Sequence, residues 1–305
     1  MLNLSNRVTL RHLQGFVSLA NLRSFSKAAD QLAVTQPALS ASIKQLENQL
    51  GAKLFDRTTH QVELTEQGVL VLAHAKYLLN TANNTFDDIQ QAISSGKTRI
   101  RIGTMPSAMT FTAAAVARYT KVHGDQVEVV LSDMSSDALL LALGTGELDF
   151  CICTKLAHSD LFESVTVLED ELVLVVSQQH PLAKMGEVPW RLLAGEEILL
   201  FNKGSIWDLA SMAMRQHGLA PTKLCQVVHS ESLYGIVRAQ IAVGIMCSLY
   251  TTSLTDSALH VAQLRAPTLK REIVLMRRNE AVRNSWTDHC FTELNKDLKQ
   301  VNRWF

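Results

Sequence analysis

Residues 33–51, AVTQPALSASIKQLENQLG, combine one apolar helical stripe with an opposite face that carries no large apolar side chain. The stripe consists of aliphatic residues three or four positions apart, the spacing of one buried side of an α-helix: Leu39, Ile43, Leu46 and Leu50. The opposite face consists of small or polar residues and one cation: Pro37, Ser40, Ala41, Lys44, Gln45 and Asn48. Such a helix can dock on its own domain and still offer a slim, hydrogen-bonding surface to a groove.

Two shorter helices are predicted before this one. Residues 9–21 place apolar side chains on one helical face, and Ser24 or Ser26 can cap the short helix that follows. Pro37 stands in the first turn of the third helix, where a missing N–H is harmless, and Gly51 ends that helix.

A hairpin is predicted directly after the third helix. Its strands lie near residues 53–57 and 62–65, where β-branched and apolar residues flank a polar tip. Two helices joined by a tight turn and followed by a hairpin predict a winged helix-turn-helix domain over residues 1–64. An ordinary amphipathic surface helix is the alternative interpretation of the third helix.

The slim face of the third helix predicts which residues reach DNA. A recognition helix has to enter the major groove, which is about 12 Å wide, and present donors and acceptors to base edges. We expect groove contacts from Gln36, Ser40, Lys44 and Asn48, with Pro37 in the same turn. Thr35 and Ser42 are placed for flanking phosphates, and Arg57 in the wing for phosphate or the minor groove.

The charge distribution agrees with a DNA-binding head. The whole chain is neutral, but its first sixty residues contain seven Lys or Arg and three Asp or Glu, so they carry +4 and the remainder −4. A basic segment joined to a mildly acidic body is typical of a polyanion-binding domain.

The composition predicts a cytoplasmic protein without a membrane partner. With 305 residues, 47% of them hydrophobic, the chain is long enough for about two domains with real cores. No apolar run approaches the ~20 residues of a membrane span, and the first residues lack a signal-peptide pattern. The five cysteines have no framework spacing, which favours reduced thiols.

A long helix is predicted over residues 65–95, with Thr65 as its cap. Its apolar residues alternate steps of three and four, which is typical of a coiled-coil seam: Leu72, Ala75, Leu79, Ala82, Phe86, Ile89 and Ile93. We expect this stripe to pair with a second chain, which would also supply two heads for two DNA half-sites. Packing of the helix on its own body is the alternative.

Residues 96–305 alternate strands and helices. Strands are predicted at 99–104, 127–133, 148–154, 171–176, 197–201, 225–230, 243–248 and 271–278. Helices are predicted at 107–122, 136–145, 206–217, 231–240 and 283–303. The pattern indicates a mostly parallel sheet covered by helices. Its two similar sets predict two lobes with a ligand cleft between them, lobe I over about 96–168 and 269–305 and lobe II over about 169–268.

The motifs SFSKAADQLAVTQPALSASIKQLENQLGAKLFDR and VELTEQG resemble the N-terminal domain of the LysR-type transcriptional regulators. RIGT, GELDF and HPLA extend the resemblance, more loosely, to nearly the whole chain. The resemblance implies a homotetramer built as a dimer of dimers, and a C-terminal domain similar to periplasmic binding proteins with a small-molecule coinducer between its lobes. It also implies activation of a neighbouring operon with control of the protein's own promoter, and adds RNA polymerase as a candidate partner.

The family's effector-lining positions correspond to four hydroxyl residues here: Ser107, Ser135, Thr154 and Ser205. Three neighbours are further candidates: Thr104, Ser136 and Lys203. Several of these hydroxyls begin predicted helices, where free N–H groups and the helix dipole favour an anion. A purely structural role as helix caps is the alternative.

Three other functions are weighed against a regulator. An enzyme is disfavoured because the sequence lacks G-x-S-x-G, H-E-x-x-H, P-loop and C-x-x-C motifs. A thiol redox sensor would use cysteines such as Cys151 and Cys153, which share one strand face but also suit a core. A ligand-binding adaptor without DNA binding conflicts with the slim helix face. The sequence therefore predicts a ligand-responsive transcriptional regulator that requires no cofactor or metal.

Overall fold

A computed structural model describes residues 8–58, 61–155, 161–252, 254–279 and 284–301 of the chain. Within it the chain forms two compact units. The first contains the residues up to 99 together with 140–149, and the second contains 100–139 and the residues from 150 onward.

Three short helices form the N-terminal head of the first unit. They are α1 (Leu10–Leu22), α2 (Phe25–Gln31) and α3 (Gln36–Leu50). Each begins at a hydroxyl residue whose side chain accepts a hydrogen bond from the helix backbone: Thr9, Ser24 and Thr35. The predicted stops are confirmed too, since Gly51 ends α3 with a left-handed φ of 68°.

The core of the head is built from the predicted apolar stripes. Leu39, Ile43 and Leu46 of α3 are buried against Phe16 and Leu19 of α1. At the crossing of these two helices, a Cβ on Gly15 would lie 3.1 Å from the Leu39 side chain. The small residue at position 15 therefore allows α3 to pack closely on α1.

The predicted hairpin and long helix are also confirmed. The hairpin strands β1 (Phe55–Thr58) and β2 (Gln61–Leu64) pair antiparallel, and α4 (Glu66–Ser95) follows them. The Thr65 hydroxyl accepts from the Gly68 N–H and donates to the Lys53 carbonyl, which fixes the start of α4 beside the hairpin.

A buried carboxylate joins α3 to the hairpin. Glu47 is only 2% exposed. Its side chain accepts hydrogen bonds from the backbone N–H groups of Leu54 and Phe55 at 3.0 and 3.3 Å, and from Lys53 Nζ at 3.2 Å. Burial alone would raise the pKa of Glu47, but these hydrogen bonds outweigh it and hold the pKa below its ordinary value.

The remainder of the chain is an α/β structure. Its strands are β3 (Thr98–Thr104), β4 (Val127–Asp133), β5 (Phe150–Thr154), β6 (Phe162–Ser177), β7 (Glu187–Pro189), β8 (Ile198–Leu199), β9 (Val243–Cys247), β10 (Leu259–Arg265) and β11 (Lys270–Arg278). Its helices are α5 (Met109–His123), α6 (Ser136–Gly144), α7 (Ser205–Gln216), α8 (Ser230–Arg238), α9 (Ser248–Thr251) and α10 (Ser285–Val301). Short 3₁₀ turns cover Pro106–Ala108, Pro181–Lys184 and Trp190–Leu193.

The long strand β6 belongs to two halves of the sheet. Its first part, up to Glu171, pairs with β11, which also pairs with β5. Its second part, from Leu172, pairs with β9 and β10. We call the half that contains β3, β4, β5 and β11 lobe I, and the half that contains β7 to β10 lobe II. The lobes are therefore joined by one continuous hydrogen-bonded strand.

Two predictions about this region are wrong. The sheet is mixed rather than mostly parallel, because β6 and β11 run antiparallel to each other and to their neighbours. The strand predicted at 225–230 is reduced to one bridge between Val227 and Phe201. Apolar periodicity identifies a buried segment, but whether it forms a ladder depends on a partner that lies far away in sequence.

We predict that Glu47→Gln loosens the wing in a pH-dependent way. The lowered pKa of Glu47 stabilises the folded head above the pKa of the unfolded chain, and that contribution is lost as pH falls through the folded-state value. Loss of the charge should lower the stability of the contact between α3 and the hairpin by about 1–2 kcal/mol at pH 7. Hydrogen exchange at the Leu54 and Phe55 amides should then be roughly tenfold faster.

The difference from wild type should shrink as the pH falls through the lowered pKa of Glu47, because the carboxyl group then becomes protonated. Glu63→Gln, which changes an exposed carboxylate on β2, is the matched control and should leave both amides unchanged. Equal exchange in wild type and Glu47→Gln at pH 7 would show that Glu47 does not secure the wing.

Candidate functional site

The outer face of α3 is open in the structure. Four of the residues predicted to reach the major groove or its edge are exposed: Gln36, Pro37, Lys44 and Asn48. Ser40 is half-buried on the same helix. The Gln36 side chain accepts a hydrogen bond from the Ser26 hydroxyl at 3.1 Å, which ties the start of α3 to α2. The surface is therefore polar, narrow and held by the helix-turn-helix core.

The residues predicted to contact phosphate have different surroundings. Thr35 is exposed, and its oxygen accepts from the Ala38 N–H at 3.3 Å, so its hydroxyl proton remains able to donate. Ser42 is half-buried, with its oxygen 3.8 Å from the position of a Cβ on Gly15, so it faces α1. Arg57 lies on β1, but its side chain falls outside the described residues.

The predicted dimerisation stripe divides into two parts along α4. Ala75 and Leu79 are buried within the chain, and Leu72 packs against the core of the head. By contrast, Phe86, Ile89 and Ile93 are 63%, 49% and 81% exposed. Ala82 is half-buried between the two parts. Leu72 and Ala75 therefore pack on the chain's own head, whereas the second part of the stripe is an exposed apolar surface.

A buried ion pair lies where the two lobes meet. Arg271, at the start of β11, stands directly opposite Asp170 of β6 in the antiparallel ladder. Arg271 Nε and Nη2 donate to Asp170 Oδ2 at 2.9 and 2.7 Å. Both residues are buried, with exposed fractions of 8% and 2%. A charge in such a place is tolerated only when it is paired and hydrogen-bonded, and here it is.

Asp170 is held from its other side by lobe II. Its Oδ1 accepts from the Ser248 hydroxyl at 2.7 Å and from the Leu249 N–H at 3.1 Å, both at the start of α9. The carboxylate is therefore fully hydrogen-bonded, and it fixes the plane of the guanidinium.

Three of the predicted effector residues form one hydrogen-bonded cluster with Arg271. Arg271 Nη2 donates to Ser107 Oγ at 3.1 Å, and Nη1 donates to Ser205 Oγ at 2.8 Å. Thr154 Oγ1 donates to Ser205 Oγ at 3.2 Å. Ser107 follows the end of β3 and Thr154 is the last residue of β5, both in lobe I, whereas Ser205 begins α7 in lobe II. The cluster therefore spans the junction of the lobes.

The backbone places Ser205 at the junction. Gly204, immediately before α7, has a φ of 96° and a ψ of −178°, a conformation that is open essentially to glycine alone. This turn presents Ser205 as the first residue of α7. Thr154 and Ser205 are both half-buried, so solvent reaches this side of the cluster.

The other four predicted effector residues lie outside this cluster. Thr104 is fully buried, and its hydroxyl pairs with that of Thr112 at 3.1 Å, so it belongs to the core rather than to an open site. Ser135 is exposed and accepts from the Ala138 N–H at 3.4 Å as a cap of α6. Ser136 is the first residue of α6, and Lys203 is exposed before α7.

Arg271 and Asp170 were missed by the sequence analysis, although a signal for both was present. Along a strand, alternate residues share one face. Asp170 shares its face with Leu168 and Leu172, and Arg271 shares its face with Ile273, all of which are buried. One charge of each sign on a buried strand face indicates a buried ion pair between the two strands.

Three buried cysteines, Cys151, Cys153 and Cys247, are poorly placed to react as thiolates. Cys151 and Cys153 are fully buried, with their Sγ atoms 3.9 Å apart. Their mutual hydrogen bond and their burial raise the pKa of Cys151, and burial raises the pKa of Cys247. A thiol is reactive through its thiolate, which these surroundings disfavour at neutral pH.

Two other kinds of site are not found in the described part of the chain. Those residues contain no group of three or more His, Cys, Asp or Glu side chains arranged to hold a metal ion. No helix in the described ranges is both long enough and apolar enough to cross a bilayer.

The chain matches two domain families over most of its length. Residues 10–69 match the bacterial regulatory helix-turn-helix proteins of the lysR family, and residues 94–298 match the LysR substrate binding domain. The chain is 30% identical over 248 residues to the HTH-type transcriptional regulator CfxR of Cupriavidus necator, covering 81% of this chain and 78% of CfxR.

Two further similarities agree with these matches. The chain is 30% identical over 200 residues to a hydrogen peroxide-inducible genes activator of Haemophilus influenzae, covering 65% of each protein. The crystal structure of full-length BenM superposes with a TM-score of 0.59 at 26% identity, covering 98% of both chains.

The fold and the exposed α3 face define a DNA-binding protein with a winged helix-turn-helix head and a two-lobed α/β body. The chain belongs to the LysR family of bacterial regulators. It is a DNA-binding transcriptional regulator.

We predict that the ion pair at the lobe junction behaves as a unit. Asp170→Ala should destabilise the second unit by about 3–5 kcal/mol, because it leaves a buried guanidinium without its counter-charge. Combining Asp170→Ala with Arg271→Met should restore most of that loss, since no charge then stays buried.

Urea unfolding of the full chain measures both changes. Glu169→Ala is the matched control, because the neighbouring Glu169–Lys270 pair is exposed on both sides, and it should leave the unfolding midpoint nearly unchanged. Equal midpoints for Asp170→Ala and wild type would show that the pair does not hold the junction.

Proposed function

We propose that this regulator acts in the cytoplasm and senses a small anionic molecule at the junction of lobes I and II. The observation that carries the proposal is that Ser107 and Ser205 both accept hydrogen bonds from the buried guanidinium of Arg271, and Thr154 donates to Ser205. These three hydroxyl groups from two lobes, with the guanidinium beside two of them, form a polar cluster at the junction, and a few convergent polar groups are what orients a ligand in small-molecule sites. No cofactor is required for this role.

The DNA side of the proposal rests on α3 and its support. Gln36, Lys44 and Asn48 are exposed on a helix whose opposite side is locked into the head. Glu47 holds that helix to the hairpin, so the recognition helix and the wing are presented as one body. A head in which α3 and the hairpin are held together fits the way winged helix-turn-helix proteins dock on DNA.

We infer that ligand binding shifts the population between two arrangements of the lobes. A ligand that bonds Ser107 in lobe I and Ser205 in lobe II binds one arrangement more tightly than another, and it favours that arrangement by this difference. The exposed Phe86, Ile89 and Ile93 supply a surface for the homodimer, and assembly to a homotetramer would couple the lobes to the spacing of the heads. Activation of a neighbouring operon, autoregulation and contact with RNA polymerase complete the proposal.

A thiol-based redox sensor is the second candidate function. It is favoured by one observation, the 30% identity to a hydrogen peroxide-inducible genes activator. The buried Cys151, Cys153 and Cys247 argue against it, since their thiols are shielded and two have a raised pKa. An adaptor that binds ligand without DNA is disfavoured by the intact polar face of α3.

We predict that Lys44→Ala weakens DNA binding at every sequence. Loss of one cation in the groove should reduce the slope of log K against log salt by about 1. Lys121→Ala is the matched control, because Lys121 is an exposed lysine on α5, outside the head, and its slope should equal that of wild type. An unchanged slope for Lys44→Ala would remove Lys44 from the DNA interface.

The experiment that tests the whole proposal is a footprint of the purified protein on DNA upstream of its own gene, with and without a panel of small carboxylates. We expect protection over two separated half-sites that shifts or shortens with one compound. Protection that ignores every carboxylate but changes after peroxide treatment would favour the thiol sensor. No protection at low salt on this DNA or on random DNA would favour the adaptor.

A further inference from the structure

The hydroxyl group of Ser205 can form only one further hydrogen bond, as a donor. A serine oxygen accepts through two lone pairs and donates one proton. Ser205 Oγ already accepts from Arg271 Nη1 at 2.8 Å and from Thr154 Oγ1 at 3.2 Å. Both lone pairs are therefore occupied, and the proton is the part of this half-buried side chain that remains for another molecule.

Ser107 is under a related constraint. Its oxygen accepts from Arg271 Nη2 at 3.1 Å, and the residue is only 7% exposed. A guanidinium donates hydrogen bonds and never accepts them, so the Ser107 hydroxyl group is most stable with its proton pointing away from Arg271. The two serines thus receive hydrogen bonds from the two amino groups of one cation and direct their protons elsewhere.

Asp170 keeps this arrangement in place. It receives Nε and Nη2 of Arg271 on Oδ2, and it is itself fixed through Oδ1 by Ser248 and the Leu249 N–H. The orientation of the guanidinium fork is therefore set before any ligand arrives. Such preorganisation lowers the ordering that a ligand has to impose on the site.

We propose that the Arg271–Asp170 pair positions the hydroxyl groups of Ser205 and Ser107 so that both act as hydrogen-bond donors at the lobe junction. The junction then selects a ligand with a hydrogen-bond acceptor, such as a carboxylate, and rejects a cation. The inference rests on the proposed sensing function and narrows its ligand to one chemistry. The same hydroxyls would bind a cation if their lone pairs faced the junction. Arg271 and Asp170 thereby determine specificity without having to touch the ligand.

Rubidium bromide supplies an acceptor ion and a cation in one experiment. Crystals of the full chain are soaked in it, and anomalous difference maps at the two absorption edges distinguish Br⁻ from Rb⁺. We expect Br⁻ within hydrogen-bonding distance of Ser205 Oγ in wild type, and its loss in Ser205→Ala. Rb⁺ at this position would overturn the inference, and so would a junction that holds neither ion.

The double variant Asp170→Asn with Arg271→Gln tests the positioning role without leaving a buried charge. The amide that replaces the guanidinium offers both a donor and an acceptor, so the serine hydroxyls are no longer forced to present their protons, and Br⁻ should be lost or replaced by Rb⁺. Lys270→Gln is the matched control, because it removes an exposed cation one residue away, and should keep Br⁻. Retention of Br⁻ in the double variant would overturn the role of the pair.

Formate provides the corresponding measurement in solution. Sodium formate should raise the melting temperature of wild type and Lys270→Gln by more than that of Ser205→Ala and of the double variant. Equal shifts in all four proteins would contradict the inference. Neither the ion soak nor the formate measurement contains DNA, so their results are independent of the footprint. The inference can fail while the footprint still responds to a compound of another chemistry. Conversely, a failed footprint does not change the result of the ion soak.

Discussion

The pairing of Arg271 with Asp170 is the interaction on which the body of this protein depends. It stands at the point where β6 changes partners, from β11 in lobe I to β9 and β10 in lobe II. Two opposite charges are buried there at 2.7 Å, and each is further hydrogen-bonded by groups from the lobes. A hydrophobic pair could stabilise the strands as well. What the charges add is a fixed set of hydrogen-bond directions at the junction.

The N-terminal head also depends on a buried, hydrogen-bonded charged side chain. Glu47 is buried beneath the polar face of α3, and its carboxylate receives two backbone N–H groups of the hairpin. In both places a buried carboxylate positions a neighbour: Glu47 holds the wing against the recognition helix, and Asp170 holds the guanidinium against the serines. The exposed face of α3 and the proposed ligand site are thus each supported by a buried, hydrogen-bonded charge.

Local sequence signals were sufficient for the head and for most of the helices. The cap Ser24, the terminal Gly51 and three of the four stripe residues of α3 are short-range features found as predicted, whereas the fourth, Leu50, is 43% exposed. In the α/β region the same reasoning located α5 and α7 to within two residues of their ends, and it predicted α10, although residues 283, 302 and 303 of that prediction lie outside the described residues. It failed for residues 225–230 and for strand direction, because both depend on partners distant in the chain.

The sequence by itself determined the class of this protein. Its helix-turn-helix periodicity and basic first sixty residues are local properties that indicate a DNA-binding head, and the motifs over residues 24–57 and 62–68 carry the resemblance to the LysR family. Only the tertiary structure decided the candidate site. Ser107, Thr154 and Ser205 are hydroxyls at element ends in any one-dimensional view, and Thr104 looks equivalent to them. Folding buries Thr104 beside Thr112 and joins the other three in one hydrogen-bonded cluster with Arg271, because side chains from four distant segments meet only when antiparallel β6 and β11 close the sheet.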